Sequence, residues 1–194
     1  MALTITKSAS VTSWDATPIV EVSTGEGAPG FLKSVNDFVT GPLLGTIGDI
    51  YRFCRIPTNA KLKRVGLVVT TATTTGAADI DIAFSDSLYD GTPPSLSQLT
   101  NPVVLLTGAA DNKIFGSAKS LATAILVDTD VTFAGTAFTF TPAHQNLPLW
   151  QVLVNLGATQ FTTDPGGYFD IMMKVTAVAS GVAPVVGIKV DYVE

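Results

Sequence analysis

GDIYRFCRIPTNAKLKRVGLVV, residues 48–69, decides how this chain folds. At its centre RFCR (52–55) sets the single cysteine between two arginines. Guanidinium groups beside a thiol lower its pKa and make a nucleophile. The same residues also suit the alternating faces of a β-strand. The flanks favour the strand: Ile47–Ile56 and Lys61–Thr71 are rich in β-branched and aromatic residues, which pack well on a pleated surface. PTNA (57–60) between them has turn chemistry and predicts a hairpin. Strict alternation puts Cys54 on one face with Ile50, Arg52 and Ile56, and Arg55 on the other with Tyr51 and Phe53. Each arginine then aims at solvent or a partner, and only Arg52 can lie beside the sulfur. A nucleophilic thiol also needs a base. The one histidine, His144 in TPAHQNLP, belongs to no motif with Cys54. A free cysteine in such a strand is a small core hydrophobe, so RFCR is read as strand and no catalytic residue is assigned.

Working outward, Lys61, Lys63, Val65, Leu67 and Val69 share one face of the second strand, and Leu62, Arg64, Gly66 and Val68 the other. TTATTTGAA (70–78) reads as a polar loop. In DIDIAFSD (79–86), Ile80, Ile82 and Phe84 alternate with Asp79, Asp81 and Ala83. DSLYDGTPPSLSQLTNP (86–102) is a long loop and PVVLLTG (102–108) a short strand. Ser117 caps a short predicted helix in SAKSLATAI, whose Ala and Leu favour helix. LPLWQVLVNLG (147–157) predicts a second, with Leu149, Val152, Leu153 and Leu156 at helical spacing between Pro148 and Gly157. VDTDVTF (127–133) and AFTFTP (137–142) read as a strand pair. The clearest strands come last. Phe169, Ile171, Met173, Val175 and Ala177 line one face of YFDIMMKVTAVA, and Val186, Ile188, Val190 and Tyr192 line one face of VVGIKVDYV. About eight strands, with short helices only in connections, predict an all-β fold: an antiparallel β-sandwich of jelly-roll type. An immunoglobulin-like sandwich is the alternative, but its Cys…Trp…Cys pattern is missing.

Residues 1–45 differ in texture. GEGAPG (25–30) and TGPLLG (40–45) break up short apolar islands at Phe31, Leu32, Val35, Phe38, Val39, Leu43 and Leu44. This predicts an irregular N-terminal arm over 1–45 and a β-sandwich domain over 46–194. The arm either lies across a partner or packs on its own domain as an irregular first strand. Its islands, with Trp14 as an aromatic anchor, are the candidate contact residues.

Charged residues are 14% of the 194, against a usual ~25%. A poorly charged, Thr-rich surface fits a molecule largely covered by other subunits. The net charge of −5 and the lack of a basic stripe argue against nucleic acid. One cysteine permits no internal disulfide. The N-terminus shows no signal peptide, and Thr, Pro, Gln, Asn and His interrupt the uncharged stretch 131–163 too often for a membrane span. Asp79 with Asp81, and Asp128 with Asp130, could seat a cation, but too few oxygen ligands accompany them and both pairs read as solvated strand faces. TGEG (24–27) and DPGG (164–167) lack the strand–loop–helix context of a phosphate cradle and read as turns. No metal site and no cofactor is expected.

GDIYRFCRIPTNAKLKRVGL, GAADIDIAFSD, FGSAKSLATA, LWQVLVNLG and DPGGYFDIMMKVTAVASG, in that order over roughly residues 46–180, resemble a group of tailed-phage and prophage proteins. These are small virion proteins made next to the major capsid protein. The resemblance implies a head decoration, or cement, protein: a homotrimer on the capsid surface, made in the host bacterial cytoplasm, whose partner is the major capsid protein. A head fibre or adhesin-like module that recognises host-surface glycan is the alternative.

Overall fold

Alternating strands in this chain sort into two sheets, because each buries one apolar face and needs another sheet to cover it. The computed structural model describes residues 5–7, 32–40, 46–84, 113–136 and 138–194. The elements are β1 (Ile5–Lys7), β2 (Leu32–Thr40), β3 (Ile50–Pro57), β4 (Lys61–Thr71), β5 (Thr75–Phe84), β6 (Gly116–Ser120), β7 (Ile125–Asp130), a 3-10 turn (Pro142–Asn146), α1 (Leu149–Asn155), β8 (Tyr168–Ser180) and β9 (Val185–Val193). Sheet A has the order β1-β3-β8-β5-β6 and sheet B the order β2-β9-β4-β7. From β2 to β9 the chain changes sheet at every step except β5 to β6. That winding is a jelly roll, two interleaved four-stranded sheets. β1 adds to it in parallel on β3, and every other named pair is antiparallel.

The inner faces follow the sequence alternation closely. Phe169, Ile171, Met173 and Val175 of β8 meet Val186, Ile188, Val190 and Tyr192 of β9 in one continuous core. Helix α1 forms where its apolar spacing predicts and buries Leu149, Val152 and Leu153. Pro148 gives it no side-chain cap. Its first amides are satisfied instead by the β3–β4 corner: Leu149 N–H donates to Ala60 O at 2.8 Å and Trp150 N–H to Thr58 O at 3.0 Å. Trp150 packs half-buried against the core.

Several local expectations fail, each for a long-range reason. PTNA makes a tight turn, closed by Ala60 N–H to Pro57 O at 3.1 Å, but no hairpin. β3 pairs with β8 and β4 with β9, so the turn is a corner between sheets. SAKSLATAI is not a helix: Gly116–Ser120 pairs with β5 and Ile125 opens β7. Ala118 has a positive φ of 45°, which no α-helix contains. Residues 138–141 form no strand, and a 3-10 turn follows. TTATTTGAA is mostly strand, with β4 running to Thr71 and β5 starting at Thr75. The expected strand at 102–108 lies outside the described residues.

Residues 32–40, within the segment whose punctuation suggests an irregular arm, form a regular nine-residue strand. It pairs with β9 at every position from Leu32↔Val193 to Thr40↔Val185. Its period of two places Val35, Asp37 and Val39 inward and leaves Leu32, Ser34, Asn36, Phe38 and Thr40 exposed. Among the described residues, no helix is long and apolar enough to cross a membrane.

Candidate interaction surface

The RFCR run holds a charged site, although not the expected one. Pairing of β3 with β8 shifts register between Arg52 and Arg55: Arg52 faces Met172, and Arg55 faces Asp170. Three residues advance on β3 against two on β8, which is a β-bulge. The extra residue brings Arg55 round to the face of Arg52, and both guanidiniums converge on one carboxylate. Arg52 Nη1–H donates to Asp170 Oδ2 at 2.9 Å. Arg55 donates through Nε–H to Oδ1 at 2.7 Å and through Nη2–H to Oδ2 at 3.0 Å, a bidentate fork. All three side chains are at most 1% exposed. The arginines therefore meet a buried carboxylate rather than solvent. Ile50, Ala83 and Met172 make a small apolar cluster on the same outer face of sheet A.

Cys54 is fully buried in the opposite, inward layer, with Sγ 3.2 Å from Ile188 O and 3.7 Å from Val35 O. Burial, then the negative charges of Asp37 and Asp170, push its thiol well above the usual range. This is the reverse of an activated thiolate. His144 belongs to the 3-10 turn, where Thr141 N–H donates to its Nδ1 at 3.2 Å and Phe140 meets its ring edge-on. Desolvation lowers its pKa. The two residues are bonded to different elements and form no dyad.

Asp79 and Asp81 are also buried, 1% and 0% exposed, where alternation suggests a solvated face. Asp79 Oδ1 accepts Ala118 N–H at 2.6 Å; Asp81 accepts Ile82 N–H at 2.9 Å and Lys113 N–H at 3.2 Å. They tie β6 and its approach to β5. Among the described residues no three His, Cys, Asp or Glu side chains could hold a metal ion. In DPGG, Asp164 Oδ1 accepts Thr58 Oγ1–H at 2.6 Å and Gly166 N–H at 2.9 Å. Gly166 and Gly167 follow at positive φ, a turn braced on the β3–β4 corner.

The outer face of sheet B is open. Arg64 Nη1–H donates to Asp128, which raises the arginine's pKa, and Asp191 lies 3.9 Å away. Gly66 makes room for this: a Cβ there would overlap the Asp128 carboxylate. Phe38 lies over Gly187 in the same way, its ring covering the backbone where a side chain is missing.

Of the eight candidate contact residues, Leu32 and Phe38 are exposed on β2, 64% and 43%. Val35 and Val39 are buried core residues of that strand, so neither presents a surface to a partner in this fold. Trp14, Phe31, Leu43 and Leu44 lie outside the described residues. Sequence reasoning missed Leu126 and Val127, at 73% and 79% the two most exposed large apolar side chains described. Their signal is the uncharged run LATAILV (121–127), which the helix expected over SAKSLATAI and the strand expected over VDTDVTF split at Leu126.

No protein-family model matches this sequence, and no curated protein does. Among solved structures the chain is similar to "Capsid of Ralstonia phage GP4", at 15% identity and a TM-score of 0.48, with 98% of this chain and 97% of that one covered.

Proposed function

We propose that the chain is a structural virion protein of a tailed phage, a capsid decoration or cement protein that bridges and stabilises major capsid subunits as a homotrimer. What supports this is the ordered sequence resemblance over residues 46–180, taken with the surface chemistry. The observation that carries it is that four of the eight exposed large apolar side chains among the described residues fall on the two edge strands of one sheet, Leu32 and Phe38 on β2 and Leu126 and Val127 on β7. Apolar side chains held in water on sheet edges mark contact with other protein chains. The protein acts through binding alone. A ligand that engages only the assembled shell stabilises it by mass action, about 2.7 kcal/mol per site when present at 100 times its Kd.

The N-terminal segment supplies the lattice contact through Trp14, Phe31, Leu43 and Leu44, while Leu32 and Phe38 lie on the β2 edge. Because β2 contributes Val35 and Val39 to the core, truncation must stop before Leu32 to leave the sandwich intact. The test is sedimentation of purified protein with expanded and unexpanded shells of the cognate major capsid protein. Full-length protein should pellet with expanded shells, and a chain lacking residues 1–31 should stay folded and pellet far less. A full-length protein that ignores both shells and binds a glycan array would replace this reading with the adhesin.

A further inference from the structure

We propose that copies of this chain join head to tail through the two edges of sheet B, with β7 of one copy against β2 of the next. This rests on the homo-oligomer part of the proposed function and locates its interface. β2 and β7 end the described sheet on opposite sides. Along it β2 is antiparallel to β9, β9 to β4 and β4 to β7. The two edges therefore run in opposite directions. A neighbour rotated about an axis along the strands sets β7 antiparallel to β2, continuing the same alternation.

The side chains favour this pairing over others. Edge strands of free monomers are usually short or guarded by lysine. β6, the edge of sheet A, is guarded in that way: five residues, GSAKS, carrying Lys119. β7 has no lysine and the one on β2, Lys33, is held by Glu194 at 2.7 Å; the two strands keep Leu126, Val127, Leu32 and Phe38 in water. The exposure on β7 is built into the strand. Leu67 faces Thr129 and Val69 faces Ile125, so Leu126, Val127 and Asp128 bulge against Val68 alone. Arg64 and the space at Gly66 hold Asp128 over the sheet and fix that bulge. The bulge interrupts a backbone ladder, so apolar side chains carry the contact. β7 also carries Asp128 and Asp130 and no cation. A twofold β7–β7 contact would set carboxylates against carboxylates, which destabilises a pair. The exposed positions of β2 hold no charge. A contact between two different surfaces is heterologous and closes as a ring when its rotation allows.

The test is light scattering behind gel filtration on the full chain. Wild type should have a mass that is a multiple of 20.2 kDa. Val127→Asp and Phe38→Asp should each run as the single chain. Mixed one to one, they should form a dimer, because one intact β7 meets one intact β2. Leu32→Asp serves as a second β2 variant, since Phe38 also covers Gly187; thermal melts confirm that each variant is folded. A single-chain wild type, either variant at wild-type mass, or a mixture that stays single-chain would overturn the proposal. Shell binding is scored separately. A single-chain protein that still decorates shells sinks this interface alone, and a ring that ignores shells sinks the capsid reading alone.

Discussion

The two sheets use the same ion pair in opposite settings. On sheet A, Arg52, Arg55 and Asp170 are at most 1% exposed and closed into a bidentate network. On sheet B, Arg64 and Asp128 are each 28% exposed. A buried carboxylate shared by two guanidiniums leaves uncompensated charge when broken, whereas water screens the open pair. Among the described residues, sheet A's outer face thus locks its ion network into the fold, while the ion pair on sheet B's outer face stays partly in water.

The sharpest way to break this comparison is Asp170→Ala. It removes the carboxylate that two buried guanidiniums share and should cost about 3–5 kcal/mol, read from urea unfolding. Replacing Arg52, Arg55 and Asp170 together by apolar residues of similar volume should recover most of that loss, since the network's desolvation cost disappears with it. An Asp170→Ala protein as stable as wild type would show that the two settings do not differ. On sheet B, Gly66→Ala pushes the Asp128 carboxylate off Arg64. About 1 kcal/mol is expected, because the displaced group is a mobile side chain. Arg64→Ala should fall within ~1 kcal/mol of wild type, and the difference should shrink further in high salt.

The smallest effect is pH-dependent. His144 has a lowered pKa in the fold, while the unfolded chain titrates near ~6.5. Between those values the unfolded state binds more protons, so acidification from neutral pH should reduce stability slightly through that window and no further below it. Burial of the imidazole is the cause of that lowering. His144→Asn should flatten the pH profile of thermal melts by removing the titrating group.

The same contrast explains what could be read in the sequence. β9, α1 and β8 as far as Val175 were legible because their inward positions follow one periodicity; beyond Val175 the pairing with β5 shifts register and Ala177, expected on the inner face, is exposed. The jelly roll followed from the number of strands and the scarcity of helix. The convergence of Arg52 and Arg55 was not legible: the bulge exists only through pairing with β8, 115 residues away from Arg55 at Asp170. For Asp79 and Asp81 alternation gave the correct face, yet burial there depends on partners elsewhere in the chain. In β2, the alternation of Val35, Asp37 and Val39 was present but was masked by the glycines and prolines around it. In SAKSLATAI the intrinsic helix preference of Ala and Leu lost to pairing with β5. Of the candidate contact residues, the alternation on β2 separates Leu32 and Phe38 from Val35 and Val39, a division that apolarity alone could not make.

The most direct measurement is cryo-electron microscopy of virions of a phage that encodes this protein. The account predicts jelly-roll density on the outer surface of the head, with the β2 and β7 edges of sheet B against neighbouring protein and every copy in the same orientation. Density in which those two edges face open solvent, or heads that lack the protein altogether, would contradict it.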